Sequence, residues 1–188
     1  MDFYRKTAII VGALFITATV TSILTIVFLG STLETPLNFA TVSKNEFQVE
    51  LAVIFWLILA ISVTGIGVLI FPILKKHNKG LALGYVGFRL TEAICIIIAS
   101  ISILSLLTIS KEYVSGSLDV SYYQPIGSLL LALQDWSFEI GTLIFLGLGG
   151  LILYYQLYEL NLIPRMLTIW GIIGAACVLF YGILKEEV

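Results

Sequence analysis

Apolar residues fall in five long blocks along this chain, separated by short polar runs, and that alternation predicts five membrane-spanning helices. The blocks cover residues 7–29, 47–74, 81–109, 136–158 and 166–184. The first follows Arg5 and Lys6. Its apolar core is longer than the roughly 7–15 residues of a cleaved signal sequence, and no A-x-A-like site follows it, so it reads as a retained span. Ala13, Thr17, Thr21 and Thr25 recur every fourth residue and share one stripe, the small, hydroxyl-bearing kind that packs helix against helix in lipid.

Gly30 to Asn45 is a punctuated loop around Pro36, with room for a short surface helix over Leu37–Val42. The second block opens beside Gln48 and Glu50, a solvated carboxylate favoured at a helix start. It carries Pro72 near its end, where a freed carbonyl lies close to water. Lys75, Lys76, His77, Asn78 and Lys79 then make a tight basic turn suited to lipid headgroups. The single histidine reads there as a wet loop residue.

The third block divides into three sides. At 100° per residue, Gly80, Gly84, Gly87, Thr91 and Cys95 share a narrow face that suits a close helix neighbour. Tyr85, Arg89, Glu92 and Ala99 share a second, which must look into the bundle. Leu83, Val86, Leu90, Ile94, Ile97 and Ile101 make a bulky third side that suits lipid.

Lys111 to Gln124 is a polar loop. Pro125 to Tyr158 would reach about 50 Å as a helix, too long for one upright span. Two paths fit: a short interfacial or re-entrant piece over Ile126–Leu133 followed by a span from Trp136, or one steeply tilted helix. On this fourth span Asp135, Glu139, Thr142 and Gly149 share a face, with Ile140, Ile144, Leu148, Leu151 and Tyr155 opposite. A turn with Asn161 and Pro164 leads into the fifth span, which carries Gly171, Gly174 and Ala175 for packing and ends in Lys185, Glu186, Glu187 and Val188.

Composition agrees. Hydrophobic residues make up 59% of the 188 and charged ones 12%, with a mean hydropathy of +1.05; a soluble domain carries about a quarter charged residues. The fold class is therefore all-α, a polytopic membrane bundle in a single domain. Net charge is −2, without the basic footprint of a nucleic-acid binder. Cys95 and Cys177 both lie in apolar blocks and read as buried small residues. With the N-terminus in the cytoplasm, the inner segments hold Arg5, Lys6, Lys75, Lys76, Lys79 and Arg165, and the outer ones Lys44, Lys111 and Lys185. That excess sets the expected orientation, with the C-terminus outside.

Several separated stretches carry a resemblance: LKKHNKGLALGYVGFRLTEA, RKTAIIVGALF, NEFQ at Asn45–Gln48, LQDWSF around Asp135–Trp136, and LIPR at Leu162–Arg165. Over nearly its whole length the chain resembles the bacterial membrane family filed as domain of unknown function forty-three eighty-six. The resemblance implies a multi-pass helical fold in the cytoplasmic membrane and supplies no catalytic residues. Arg89, Glu92, Asp135 and Trp136 stand in its motif positions, and Gln134 stands where many members are expected to have His, which counts against a proton-relay histidine. It also implies one more apolar helix after Met166–Leu184, which this chain, stopping at Val188, lacks; either a natural short form or a truncation fits.

Chemistry has one constellation to work with. Arg89 and Glu92, at i and i+3, can pair within one helix, and an ionised group at mid-span costs about 2.5–3.5 kcal/mol on insertion scales. Asp135 and Glu139 approach from the fourth span, and an Arg89–Glu139 bridge requires that span to begin well before Trp136. One reading is a polar cavity, floored by Arg89 and Glu92 and open outward near Asp135, which binds a small amphipathic ligand or lipid or passes protons. The other is an ion-pair network that fixes helix register. Tyr85, Trp136, Tyr154 and Tyr155 suit interfacial anchors, with Tyr85 and Trp136 also within reach of the polar network.

No phosphate-binding glycine loop, metal-ligand cluster or nucleophile with a nearby histidine occurs in the sequence, and no cofactor is expected. The expected function is a non-enzymatic ligand- or lipid-binding bundle or accessory subunit, self-associating or joined to a partner membrane protein. A carboxylate-dependent membrane enzyme or proton-coupled transporter is the alternative, using Glu92 or Glu139 as acid or base.

Overall fold

The computed structural model describes residues 3–30, 32–33, 37–116 and 122–185. Pro36 and the terminal Glu186, Glu187 and Val188 lie outside the described residues. Among the described residues the chain is helical with no strand, and five helices are long and apolar enough to cross a membrane.

Helix α1 (Phe3–Gly30) packs along α3 (Glu46–Leu74), which packs on α4 (Lys79–Ser115). The hydroxyl stripe of α1 lies at the first contact. Thr21 and Thr25 are buried, each hydroxyl donating to the carbonyl four residues back, and Thr25 also reaches the Ala52 carbonyl of α3 at 3.4 Å. Ser62, Ser100, Ser102 and Ser110 use the same i−4 bond. Such bonds satisfy a hydroxyl inside its own helix and let it sit in an apolar interior.

The ends of α4 follow from its caps. Asn78 accepts a hydrogen bond from the Leu81 N–H at 3.0 Å, and Gly116, at φ +71°, ends the helix in the left-handed conformation. The helix therefore runs beyond the predicted 109 and takes in Lys111 to Ser115. Lys111 pairs with Glu46 at the start of α3, and Tyr113 packs in a ring cluster with Tyr123 and with Phe39 of the short surface helix α2 (Phe39–Lys44). Polarity alone made this stretch look like loop, but no helix-breaking residue occurs before Gly116.

The chain from Pro125 to Tyr158 takes the single-helix path, so the expected interfacial or re-entrant piece over Ile126–Leu133 does not occur. Helix α5 (Tyr123–Glu139) continues through a π-helical segment (Ile140–Phe145) into α6 (Leu146–Glu159) without a break. The Leu146 N–H bonds to Gly141 O, five residues back. Nothing between Tyr123 and Glu159 stops a helix, since Pro125 falls in the first turn where its missing N–H is harmless. Helix α7 (Arg165–Lys185) packs against α6 and the π segment.

Close approaches to α4 come from glycines on its partners. A Cβ on Gly67 of α3 would lie 3.1 Å from Arg89 Cβ, one on Gly141 would lie 2.7 Å from Cys95 Cβ, and one on Gly149 would lie 3.5 Å from Phe88 Cβ. The glycine face expected on α4 is used only in part: Gly84 meets Ile152, whereas Gly87 is exposed with nothing near it. Cys177 is likewise exposed rather than buried, and Cys95 is half-buried; both are free thiols. On α4 the bulky residues Leu83, Leu90, Ile94, Ile97 and Ile101 face outward.

The contact at Gly141 has a measurable consequence. Gly141→Ala drives a methyl into Cys95 and lowers stability by about 1–3 kcal/mol, read as an earlier thermal unfolding transition in detergent. Gly174→Ala, with open space around it, leaves that transition unchanged or raises it.

Candidate functional site

Three side chains of α4 make the polar centre of the molecule. Arg89 Nη1 donates to Glu92 Oε2 at 2.9 Å and Arg89 Nε donates to the Tyr85 hydroxyl at 3.1 Å. Arg89 and Glu92 are each 4% exposed and Tyr85 is fully buried. Helical spacing dictates the set: positions 85, 89 and 92 stack on one side, so a guanidinium reaches both neighbours without leaving its helix. Gly67 makes room for the stem of Arg89, and the guanidinium carbon lies 5.4 Å from the Tyr85 ring centre and 5.9 Å from that of Phe15 on α1.

The pair borders a partly open cavity of about 340 Å³ lined by α1, α3, α4 and the fourth span. Its polar wall is Arg89, Glu92, Thr142 of the π segment, and Thr19 and Ser22 of α1; apolar residues such as Phe15, Val63, Ile96 and Phe138 form the rest. Among the described residues, neither Arg89 Nη2 nor Glu92 Oε1 has a hydrogen-bond partner in the protein. The cavity thus offers one free donor group and one free acceptor from an ion pair whose charges cancel.

Two more cavities continue along the same seam between α1 and the fourth span. One of about 250 Å³ shares Phe138 with the central cavity and is bordered by Trp56 and Gln134. The other, about 580 Å³, shares Phe15 with it and lies beside Tyr4, Arg5, Leu153 and Leu157. Phe138 stacks on Trp56 at 5.5 Å between ring centres, so both partitions are aromatic rings.

Residues 10–187 match the family model described as Domain of unknown function (DUF4386). The chain belongs to that family. No curated protein and no solved structure matches it.

In this DUF4386 protein the six residues singled out from sequence separate into two groups. Tyr85, Arg89 and Glu92 come together as described. Asp135, Trp136 and Glu139 do not join them: Asp135 is exposed, Trp136 is 49% exposed, and Glu139 borders a small groove with Trp136, Ile140, Leu143, Ile144 and Gly182 of α7. Arg89 pairs with Glu92 and makes no bridge to Glu139. The cavity side of this span is the every-fourth-residue row Phe138, Thr142 and Leu146, with Glu139 about a quarter turn away from Phe138. The wider turns of the π segment, which begins after Asp135 and Glu139, hold that row in line toward the cavity.

Sequence reasoning missed Phe15, Thr19, Ser22, Phe138 and Gln134 as walls of the seam. The hydroxyl stripe on α1 gave no signal for them, since at 100° per residue Thr19 lies opposite that stripe and Ser22 about a third of a turn from it. Two other buried polar groups lie off the seam, the Tyr123 hydroxyl and the fully buried Gln156 amide, and neither has a hydrogen-bond partner. Among the described residues no group of three or more His, Cys, Asp or Glu is placed to hold a metal.

The ion pair separates single from double substitution. Glu92→Leu leaves an uncompensated guanidinium in the interior and costs about 3–5 kcal/mol, whereas Arg89→Leu/Glu92→Leu removes both charges, leaves only the Tyr85 hydroxyl without its donor and costs less, about 1–3 kcal/mol. Thermal unfolding and size-exclusion profiles of the two variants in the same detergent check this.

Proposed function

We propose that the protein is a non-enzymatic binder of a small amphipathic molecule, taken up from the bilayer between α1 and the fourth span and held over Arg89 and Glu92. The observation that carries this reading is the buried Arg89–Glu92 pair, bordering a mostly apolar cavity, with Arg89 Nη2 and Glu92 Oε1 unpartnered among the described residues. Such a site suits an uncharged head group that both accepts and donates a hydrogen bond, such as an alcohol, an amide or a protonated acid, attached to a hydrocarbon chain. A net ionic head would add an unbalanced charge to a neutral pair in a low-dielectric interior. The volume lies at the lower end of ligand pockets, about 300–1,000 Å³.

Access from the side follows from packing. Helix α1 lies along α3, and its other flank meets the fourth span across cavities. The end that carries Arg5, Lys76 and Arg165 faces the cytoplasm in this reading, by the excess of basic residues in those segments.

A carboxylate-dependent enzyme or proton-coupled transporter is the second reading, favoured by Glu92 on the cavity wall. It lacks a second acid or base there, because Glu139 and Asp135 lie elsewhere.

Photolabelling with a long-chain alcohol bearing a diazirine tests the first reading. Wild type is labelled on peptides from α1, α4 and the fourth span, and unlabelled alcohol competes. The Arg89→Leu/Glu92→Leu variant, folded but without the polar wall, loses at least ten-fold in competable labelling. Equal labelling of the two proteins contradicts the reading.

A further inference from the structure

The cavity at the basic end of the seam is separate from the ion-pair chamber and has its own chemistry. Its body is apolar: Ala8, Val11 and Gly12 of α1, Ile70 and Ile73 of α3, and Leu153 and Leu157 of α6. Its mouth is polar and cationic, made by Tyr4, Arg5 and Thr7 at the start of α1. Arg5 has no acidic partner among the described residues. Lys76, from the turn after α3, donates to the Tyr4 hydroxyl, and its ammonium lies 4.7 Å from the centre of that ring, so a second cation stands at the rim. Leu162 and Ile163, between α6 and α7, close the same end.

We propose that this cavity is a binding site for an anionic phospholipid of the surrounding leaflet, with the phosphate at Arg5 and Lys76 and an acyl chain between α1 and α6. Charge complementarity selects the head group: a guanidinium without an acidic partner among the described residues and a nearby ammonium at headgroup depth attract an anionic lipid by about 1 kcal/mol each. The position selects a lipid over a soluble anion, because the apolar walls belong to membrane-spanning helices and run about two helical turns inward, from Ala8 to Phe15. Phe15 marks the inner limit, since it also borders the central chamber. The site does not use Arg89 or Glu92 and stands whether or not the central chamber binds an amphiphile.

Native mass spectrometry of the purified protein, with matched phosphatidylglycerol and phosphatidylcholine added in excess, reads the site directly. Wild type retains phosphatidylglycerol over phosphatidylcholine, and Arg5→Gln lowers that preference about five-fold, the factor equivalent to one surface charge. Gly12→Phe fills the chain-binding part, because nothing lies within 4 Å of a Cβ placed there, and it abolishes retention of the tightly held lipid. The Arg89→Leu/Glu92→Leu variant retains phosphatidylglycerol as wild type does, which distinguishes this site from the central one. Equal retention of the two lipids by wild type overturns the proposal. So does unchanged retention in Gly12→Phe, or displacement of phosphatidylglycerol by millimolar inorganic phosphate.

Discussion

A guanidinium and a carboxylate in the middle of a hydrocarbon-spanning helix impose the constraint on which the rest of this structure depends. Neither can face acyl chains at acceptable cost, so α4 must turn Arg89 and Glu92 toward protein. That choice fixes the rotation of α4 about its axis and, with it, every neighbour. Leu83, Leu90, Ile94 and Ile101 are left for lipid. Gly67 stands opposite Arg89, where a Cβ would lie 3.1 Å from that of the arginine, and Gly141 stands opposite Cys95, where one would lie 2.7 Å away. Both α3 and the π segment thus approach α4 most closely at glycines beside the polar centre. Register and binding are compatible roles, because pairing consumes only part of the hydrogen-bonding capacity of each group.

The five spans were legible because long apolar blocks have few alternatives in a bilayer, and the buried polar side and outward bulky side of α4 were legible because helical spacing is rigid over a few turns, whereas its glycine side is packed only in part. The membership in a family of unknown function rests on motifs spread along the chain and on a match to residues 10–187. The fourth span was harder to read. Its length left two paths open, and the faces assigned to it were counted at constant pitch. The row Phe138, Thr142 and Leu146 faces the cavity, held in line by the π-helical stretch at Ile140–Phe145, and Asp135 and Glu139 lie off it. No residue in IGTLIF announces such a turn by type, although Gly141 permits the close approach that accompanies it.

The cavities were illegible for a related reason. They arise where α1 lies along α3 and leaves a seam beside the fourth span, and a sequence specifies which face of a helix is small but not which neighbour is held at a distance. Phe15 and Phe138 look like ordinary lipid-facing or core aromatics, yet they divide the seam into three chambers. The chambers differ in chemistry. The basic end is cationic at its mouth, the centre is mostly apolar with a neutral ion pair and three hydroxyls on its wall, and the far end is mostly apolar beside Trp56 and Gln134. A π segment facing the central chamber is consistent with the frequent placement of such segments at functional sites.

Oxygen accessibility of spin labels along α4, measured by electron paramagnetic resonance in reconstituted bilayers, tests the inward-turned ion pair most directly. Labels at Ile94, Ile97 and Ile101 collide freely with dissolved oxygen if this side meets hydrocarbon, and labels at Ala93, Ile96 and Ile103 are protected. The opposite phase, with labels at 93, 96 and 103 accessible and those at 94, 97 and 101 shielded, would place Arg89 and Glu92 toward the lipid and contradict the account.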